Sequence, residues 1–133
     1  MPLASNNVDI GTAISATGGT ATSFLGKGSS LDKRFLSLDD GSVLKDETTY
    51  SFGIKRPKVS AGAPGGYTQA RNTLFIQMPK TLANGEVTKN SLRVELSADP
   101  ETTDSEKVDI LAQAAQMMFE TAFRPYWTNQ DIS

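Results

Sequence analysis

The side chains with chemistry to offer fall into two sets: acids beside turn residues, and cations spaced along alternating segments. Asp39-Asp40 and Asp46-Glu47 are paired carboxylates, the material of general acid–base work or of a divalent-cation site. Both pairs adjoin turn residues, and neither has metal-ligand spacing. The 133 residues include no His and no Cys. That removes the commonest general base, the commonest metal ligand, thiolate nucleophiles, Zn–thiolate sites and disulfides. With no His to activate a hydroxyl, a Ser-His-Asp triad is excluded. Gly26-Lys27-Gly28 lacks both the glycine spacing of a phosphate loop and the Ser or Thr after its lysine, and it reads as a turn. Gly62-Ala63-Pro64-Gly65-Gly66 lacks the fingerprint of a dinucleotide loop and reads as a mobile connection. No catalytic residue, metal site or cofactor is expected.

The cations carry more. The net charge of −2 comes from 13 Lys+Arg against 15 Asp+Glu, but it is unevenly spread. Between Lys55 and Arg93 stand Lys55, Arg56, Lys58, Arg71, Lys80, Lys89 and Arg93 against the single acid Glu86, a segment at +6 beside a remainder at −8. Five acids cluster between Asp99 and Asp109, with only Lys107 among them. A basic stretch with Ser and Thr beside its charges can hold phosphates by charge and bases by hydrogen bonds.

The elements that must position these groups are legible in part. Residues 48–55 alternate Tyr50, Phe52 and Ile54 with Thr49, Ser51, Gly53 and Lys55; Pro57, which has no amide hydrogen, ends the ladder. Residues 71–78 alternate Leu74, Ile76 and Met78 with Arg71, Thr73, Phe75 and Gln77, and Pro79 closes them. After an Asn84-Gly85 turn, residues 91–97 set Leu92, Val94 and Leu96 against Ser91, Arg93, Glu95 and Ser97. Three strands with one apolar and one hydrophilic face describe an antiparallel sheet covered on one side. Lys55, Arg71 and Arg93 then share the bare face. Phe75 points there too, either as a stacking platform for a base or in a local packing role. Glu95 on the same face opposes a purely electrostatic site.

The N-terminal third is rich in Gly, Ser, Thr and Ala. Residues 8–15 and 20–25 around Ala16-Thr17-Gly18-Gly19 read as a hairpin, and Asp39-Asp40-Gly41-Ser42 as a turn. At the other end Thr103-Asp104-Ser105-Glu106 fits a capping box. Val108, Leu111, Ala112, Ala115, Met118, Phe119 and Ala122 follow at helical spacing, and Ile110, Ala114 and Met117 widen the stripe. Pro125 interrupts this helix, and Trp127 is expected to anchor the C-terminus. The layout is one α+β domain over 1–133: an N-terminal hairpin region (1–30), an antiparallel sheet (31–98) and a C-terminal helical region (103–133). No run approaches the roughly 18–20 apolar residues of a spanning helix, and no secretory signal or membrane partner is expected.

This order of elements resembles the coat proteins of single-stranded RNA bacteriophages of the levivirus type. The match rests on Arg71-Asn72-Thr73-Leu74-Phe75-Ile76-Gln77-Met78-Pro79-Lys80 before a Gly-containing loop, on Leu92-Arg93-Val94-Glu95-Leu96, and on the acidic entry to a long helix. It covers about residues 45–123 well and the N-terminal third by topology. The resemblance implies an intertwined homodimer whose sheets join edge to edge, each subunit's helices lying over its partner's sheet. Val108, Leu111, Ala115, Met118 and Phe119 would then form the dimer helix. It also implies assembly into an icosahedral shell, residence in the virion, and the host cytoplasm as the place of assembly. The bare face would turn toward single-stranded genomic RNA and bind a stem-loop, repressing replicase translation.

Carried over by the Met78-Pro79-Lys80 and Glu95-Leu96 anchors, the RNA-face positions are Thr49, Ser51, Gly53 and Lys55; Arg71, Thr73, Phe75 and Gln77; and Ser91, Arg93 and Glu95. Thr73 coincides with a threonine that lines a base pocket in family members. Phe75 stands where such members have a lysine, and Gly53 replaces a small hydroxyl residue, so a different hairpin is expected. Thr81, Leu82, Ala83, Asn84, Gly85, Glu86 and Val87 correspond to the loop around the symmetry axes of these shells. Two other readings stay open. One is a small dimeric RNA-binding regulator that forms no shell, and the other is a metal-dependent enzyme using the acid pairs.

Overall fold

The computed structural model describes residues 7, 8, 10, 19, 21–39, 41–43 and 46–132. Two compact units divide the chain at about residue 100. The first is a five-stranded antiparallel sheet in sequential order: β1 (Phe24–Ser29), β2 (Lys33–Leu38), β3 (Thr49–Lys55), β4 (Ala70–Thr81) and β5 (Val87–Ala98). The second holds α1 (Asp104–Phe119), a single 3-10 turn at Thr121–Phe123 and α2 (Arg124–Asn129). The architecture is the expected α+β, with the three alternating strands in place.

The register follows from the turns. The Asn84-Gly85 loop sets Thr81 opposite Val87, and pairing then runs unbroken to Ala70 opposite Ala98. Both strands extend further than alternation suggested, because β4 continues through Pro79. β3 reaches only to Gln77 of β4, so at Pro79 the strand has a neighbour on one side alone, where a missing donor is tolerated. The hairpin expected at residues 8–25 lies largely outside the described residues; Phe24 and Leu25 open β1, which pairs with β2. Of the expected turn at 39–42, Asp40 lies outside the described residues, while Gly41 has φ +79°.

Two sequence readings are corrected. Gly26-Lys27-Gly28 is not a turn: Gly26 pairs with Leu36 and Gly28 with Phe35, which leaves Lys27 as the extra residue of a β-bulge within β1. Lys27 Nζ meets Glu47 Oε1 at 3.1 Å. The segment between β3 and β4 is closed by an isolated antiparallel bridge, Val59 opposite Tyr67, rather than being a loose connection. Thr68 N–H donates to Lys58 O at 2.8 Å, Ser60 N–H to Gly66 O at 2.8 Å, and Lys58 N–H to the Thr68 hydroxyl at 2.9 Å.

In the helical unit, Thr103 Oγ1 accepts from Glu106 N–H at 3.2 Å, the expected N-cap. The helix stops earlier than its apolar stripe: Glu120 is extended, and Pro125 occupies the first turn of α2, where an amide hydrogen has no intrahelical acceptor. Trp127 Nε1 donates to Met117 O at 2.8 Å, fastening α2 to the last turn of α1. Tyr126 packs edge-on against the indole, with ring centroids 4.9 Å apart.

Apolar burial within the single chain is sparse. Among the described residues Ala98 and Phe123 are the buried apolar side chains, while Phe52, Ile54, Met78 and Leu92 of the sheet and Val108, Ile110, Leu111 and Phe119 of α1 are exposed. Phe24 does pack edge-on against Tyr50, 5.1 Å between centroids, a contact worth about 0.5–1.5 kcal/mol beyond its area.

Candidate nucleic-acid interface

Side chains alternate along each strand, so pairing register alone assigns the hydrophilic face. Four cross-strand rows result. Lys55 lies opposite Arg71, which lies opposite Ser97. Next come Lys33, Gly53, Thr73 and Glu95, then Phe35, Ser51, Phe75 and Arg93, and finally Ser37, Thr49, Gln77 and Ser91. All ten residues singled out in the sequence (Thr49, Ser51, Lys55, Arg71, Thr73, Phe75, Gln77, Ser91, Arg93 and Glu95) thus fall on one face.

The structure adds Lys33 and Phe35, which complete the second and third rows from β2. Their signal was the alternation of Lys33, Phe35 and Ser37 with Arg34, Leu36 and Leu38 in a six-residue strand. Lys33 leans on the glycine beside it, since a Cβ on Gly53 would stand 3.7 Å from Lys33 Cγ. The lysine stem covers the place where a larger residue would project.

Two shallow depressions mark the face. One, of about 320 Å³, lies among Lys33, Ser51, Gly53, Lys55, Arg71 and Thr73. The second, of about 520 Å³, has Phe35 and Phe75 on either side of Ser51, with Lys27, Lys33 and Lys89 around it. The Arg93 guanidinium sits 5.1 Å from the Phe75 centroid, a cation–π contact that aligns both groups. Arg71 Nε and Glu95 Oε1 are 4.0 Å apart, with both side chains about half exposed; such a pair contributes little and leaves the arginine available to a phosphate. An aromatic pair ringed by cations and hydroxyls can stack bases while holding the backbone between them.

Asp40 of the first acid pair lies outside the described residues, and the other acids form no comparable site among the described residues. Glu47 is engaged with Lys27, and no cluster of three or more acids that could hold a metal occurs among the described residues. The loop residues Thr81 to Val87 form a closed hairpin turn in which Leu82 N–H donates to Glu86 O at 2.7 Å. Along α1, Ala115 and Met118 are half-buried, whereas Val108, Leu111 and Phe119 are exposed. No helix among the described residues is long and apolar enough to cross a membrane.

No family model matches the chain, and no curated protein does. Solved structures do. The chain is similar to that of the virus-like particle of bacteriophage GQ-907, with a TM-score of 0.85 and 22% identity over 98% of this chain and 99% of that one. The virus-like particle of Beihai levi-like virus 32 follows with a TM-score of 0.73 and 15% identity, covering 86% and 91%. That of bacteriophage AVE019 has a TM-score of 0.65 and 8% identity, covering 88% and 92%. With both chains spanned almost end to end, the sheet and helices described above are the levivirus-type coat-protein fold.

Proposed function

We propose that the chain is the capsid protein of a single-stranded RNA phage, a non-enzymatic protein that assembles from dimers into an icosahedral shell. The observation that carries this is the match to the chain of a virus-like particle, which covers 98% of this chain and 99% of that one. Dimerisation is supported by two features. β5 is a twelve-residue edge strand, paired on one side only among the described residues, and a free edge of that length can pair with a second copy. The exposed apolar side chains of the sheet and of α1 supply the surface such a dimer buries, with Val108, Leu111, Ala115, Met118 and Phe119 facing the partner.

The polar face binds genomic RNA. Lys33, Lys55, Arg71 and Arg93 neutralise phosphates, while Thr49, Ser51, Thr73, Gln77 and Ser91 meet bases or sugars and Phe75 supplies a stacking surface. Glu95 limits purely electrostatic binding. Binding of a stem-loop on this face in the host cytoplasm would repress replicase translation and mark the genome for the virion.

The test is to express the chain alone, image the purified protein by electron microscopy, and compare nucleic-acid with protein absorbance. Uniform closed particles rich in RNA are expected. Dimers free of RNA under every assembly condition tried would instead indicate a regulator that forms no shell.

A further inference from the structure

The loop between β4 and β5 contains the chain's single Asn-Gly step, Asn84-Gly85. Glu86 N–H donates to Asn84 Oδ1 at 2.9 Å, and the ring closed by that bond contains the Gly85 nitrogen. The carboxamide is therefore folded back along the chain, its carbonyl polarised by a donor. Gly85 has φ +87°, and beyond its chain neighbours nothing lies within 4 Å of where a Cβ would stand, so attack by its nitrogen meets no hindrance from a side chain of its own residue. Every residue from Lys80 to Val87 is exposed, and water reaches the whole turn.

We propose that Asn84 is a self-modification site at which the chain deamidates through a cyclic imide. The Gly85 nitrogen gives its proton to a solvent base and attacks Asn84 Cγ. A C–N bond forms, and the side-chain nitrogen leaves as ammonia with a proton from water. Water then opens the imide. Attack at Cγ yields aspartate; attack at the main-chain carbonyl carbon yields an isoaspartyl linkage. No oxidant or reductant is involved.

The same turn gates the reaction. Gly85 N–H donates to Leu82 O at 3.0 Å, and Leu82 N–H donates to Glu86 O at 2.7 Å. The nucleophilic nitrogen is engaged until the turn opens, so the rate follows local opening rather than global unfolding. Each conversion sets a new carboxylate beside Glu86. The isoaspartyl product also adds a main-chain atom to a loop that fixes the register of two twelve-residue strands. Asn72 and Asn90 serve as internal controls, because both are paired within strands and precede Thr73 and Ser91, whose side chains hinder attack.

Trypsin separates the three asparagines into peptides 81–89, 72–80 and 90–93. The purified full chain is held at mildly alkaline pH, with and without urea, and the peptides are followed by mass spectrometry. Peptide 81–89 is expected to split into its amide form and two acidic isomers. In the folded chain Asn84 should convert on the order of tenfold faster than Asn72 or Asn90, a barrier difference of about 1.4 kcal/mol. Urea should accelerate it further, and Asn84→Gln should abolish the split. Conversion at Asn84 no faster than at the two strand asparagines in the folded chain overturns the site. Equal rates with and without urea overturn the gate.

Discussion

If the polar face binds RNA as proposed, charge at single positions decides how it holds the polyanion. Arg71 is only weakly engaged by Glu95, and Lys33 is steered over Gly53, so each is free to neutralise one phosphate. Lys33→Ala and Arg71→Ala should each weaken RNA binding and flatten the salt dependence, by a slope of about 0.7–0.9 per lost phosphate contact. Filter binding at several salt concentrations reads this, and sedimentation checks that the variants keep the wild-type association state. Phe75 carries a different expectation: if it stacks a base, Phe75→Ala loses about 1–3 kcal/mol of RNA affinity. Unchanged affinity with a lowered Tm would assign Phe75 to packing with Arg93. The positions on β3, β4 and β5 were legible because seven or more alternating residues outvote any local irregularity. Lys33 and Phe35 were not, since β2 is short and Arg34 breaks the apolar rhythm of its other face.

Among the elements, the legible ones are those whose pattern and end signals agree. The Thr103 cap and the first turns of α1 are of this kind, and Thr103→Ala should lower stability by about 1 kcal/mol in a denaturant titration. The end of α1 was misread because the apolar stripe continues past the point where the backbone turns at Glu120. Pro125 could not sit inside a continued helix, and α2 is tied back through Trp127 and Met117, a contact between residues ten apart that no periodicity encodes. Trp127→Phe keeps the ring and removes the donor, so it should cost about 0.5–1.5 kcal/mol. Urea melting of the variant beside the wild type reads the difference. Gly26-Lys27-Gly28 was misread for a related reason: glycines that signal a turn also permit a bulge, and only the partner strand decides between them.

At the scale of the whole molecule, a chain of this length that buries two apolar side chains among its described residues would complete its core through the association proposed above. Its Tm should therefore rise with chain concentration, as mass action requires when the folded state is the associated one. Calorimetry over a wide concentration range tests this, and a constant Tm would show that one copy is self-sufficient. Fold class was readable from the order of elements, whereas a homodimer was expected from the sequence through the family resemblance and the wide apolar stripe of α1; the exposed apolar side chains now support that proposal. Alternation shows which face is apolar, whereas exposure shows whether the same chain covers it.

The bulge at Lys27 has a consequence for how the coding sequence can change. It acts as a frame correction: Gly26 and Gly28 would share a face in a regular strand, yet here they stand opposite Leu36 and Phe35, which point to opposite faces. Removing Lys27 alone would leave every remaining β1 pair intact and Phe24 still against Tyr50. Removing any single residue between Leu36 and Leu38, or from the middle of β3, would invert all that follows up to the next turn. The first deletion should yield a folded chain that lacks the Glu47 ion pair and one cation of the second depression, and the others insoluble protein. Lys27 is thus the one place in the sheet where the strand itself marks a codon as dispensable to the fold.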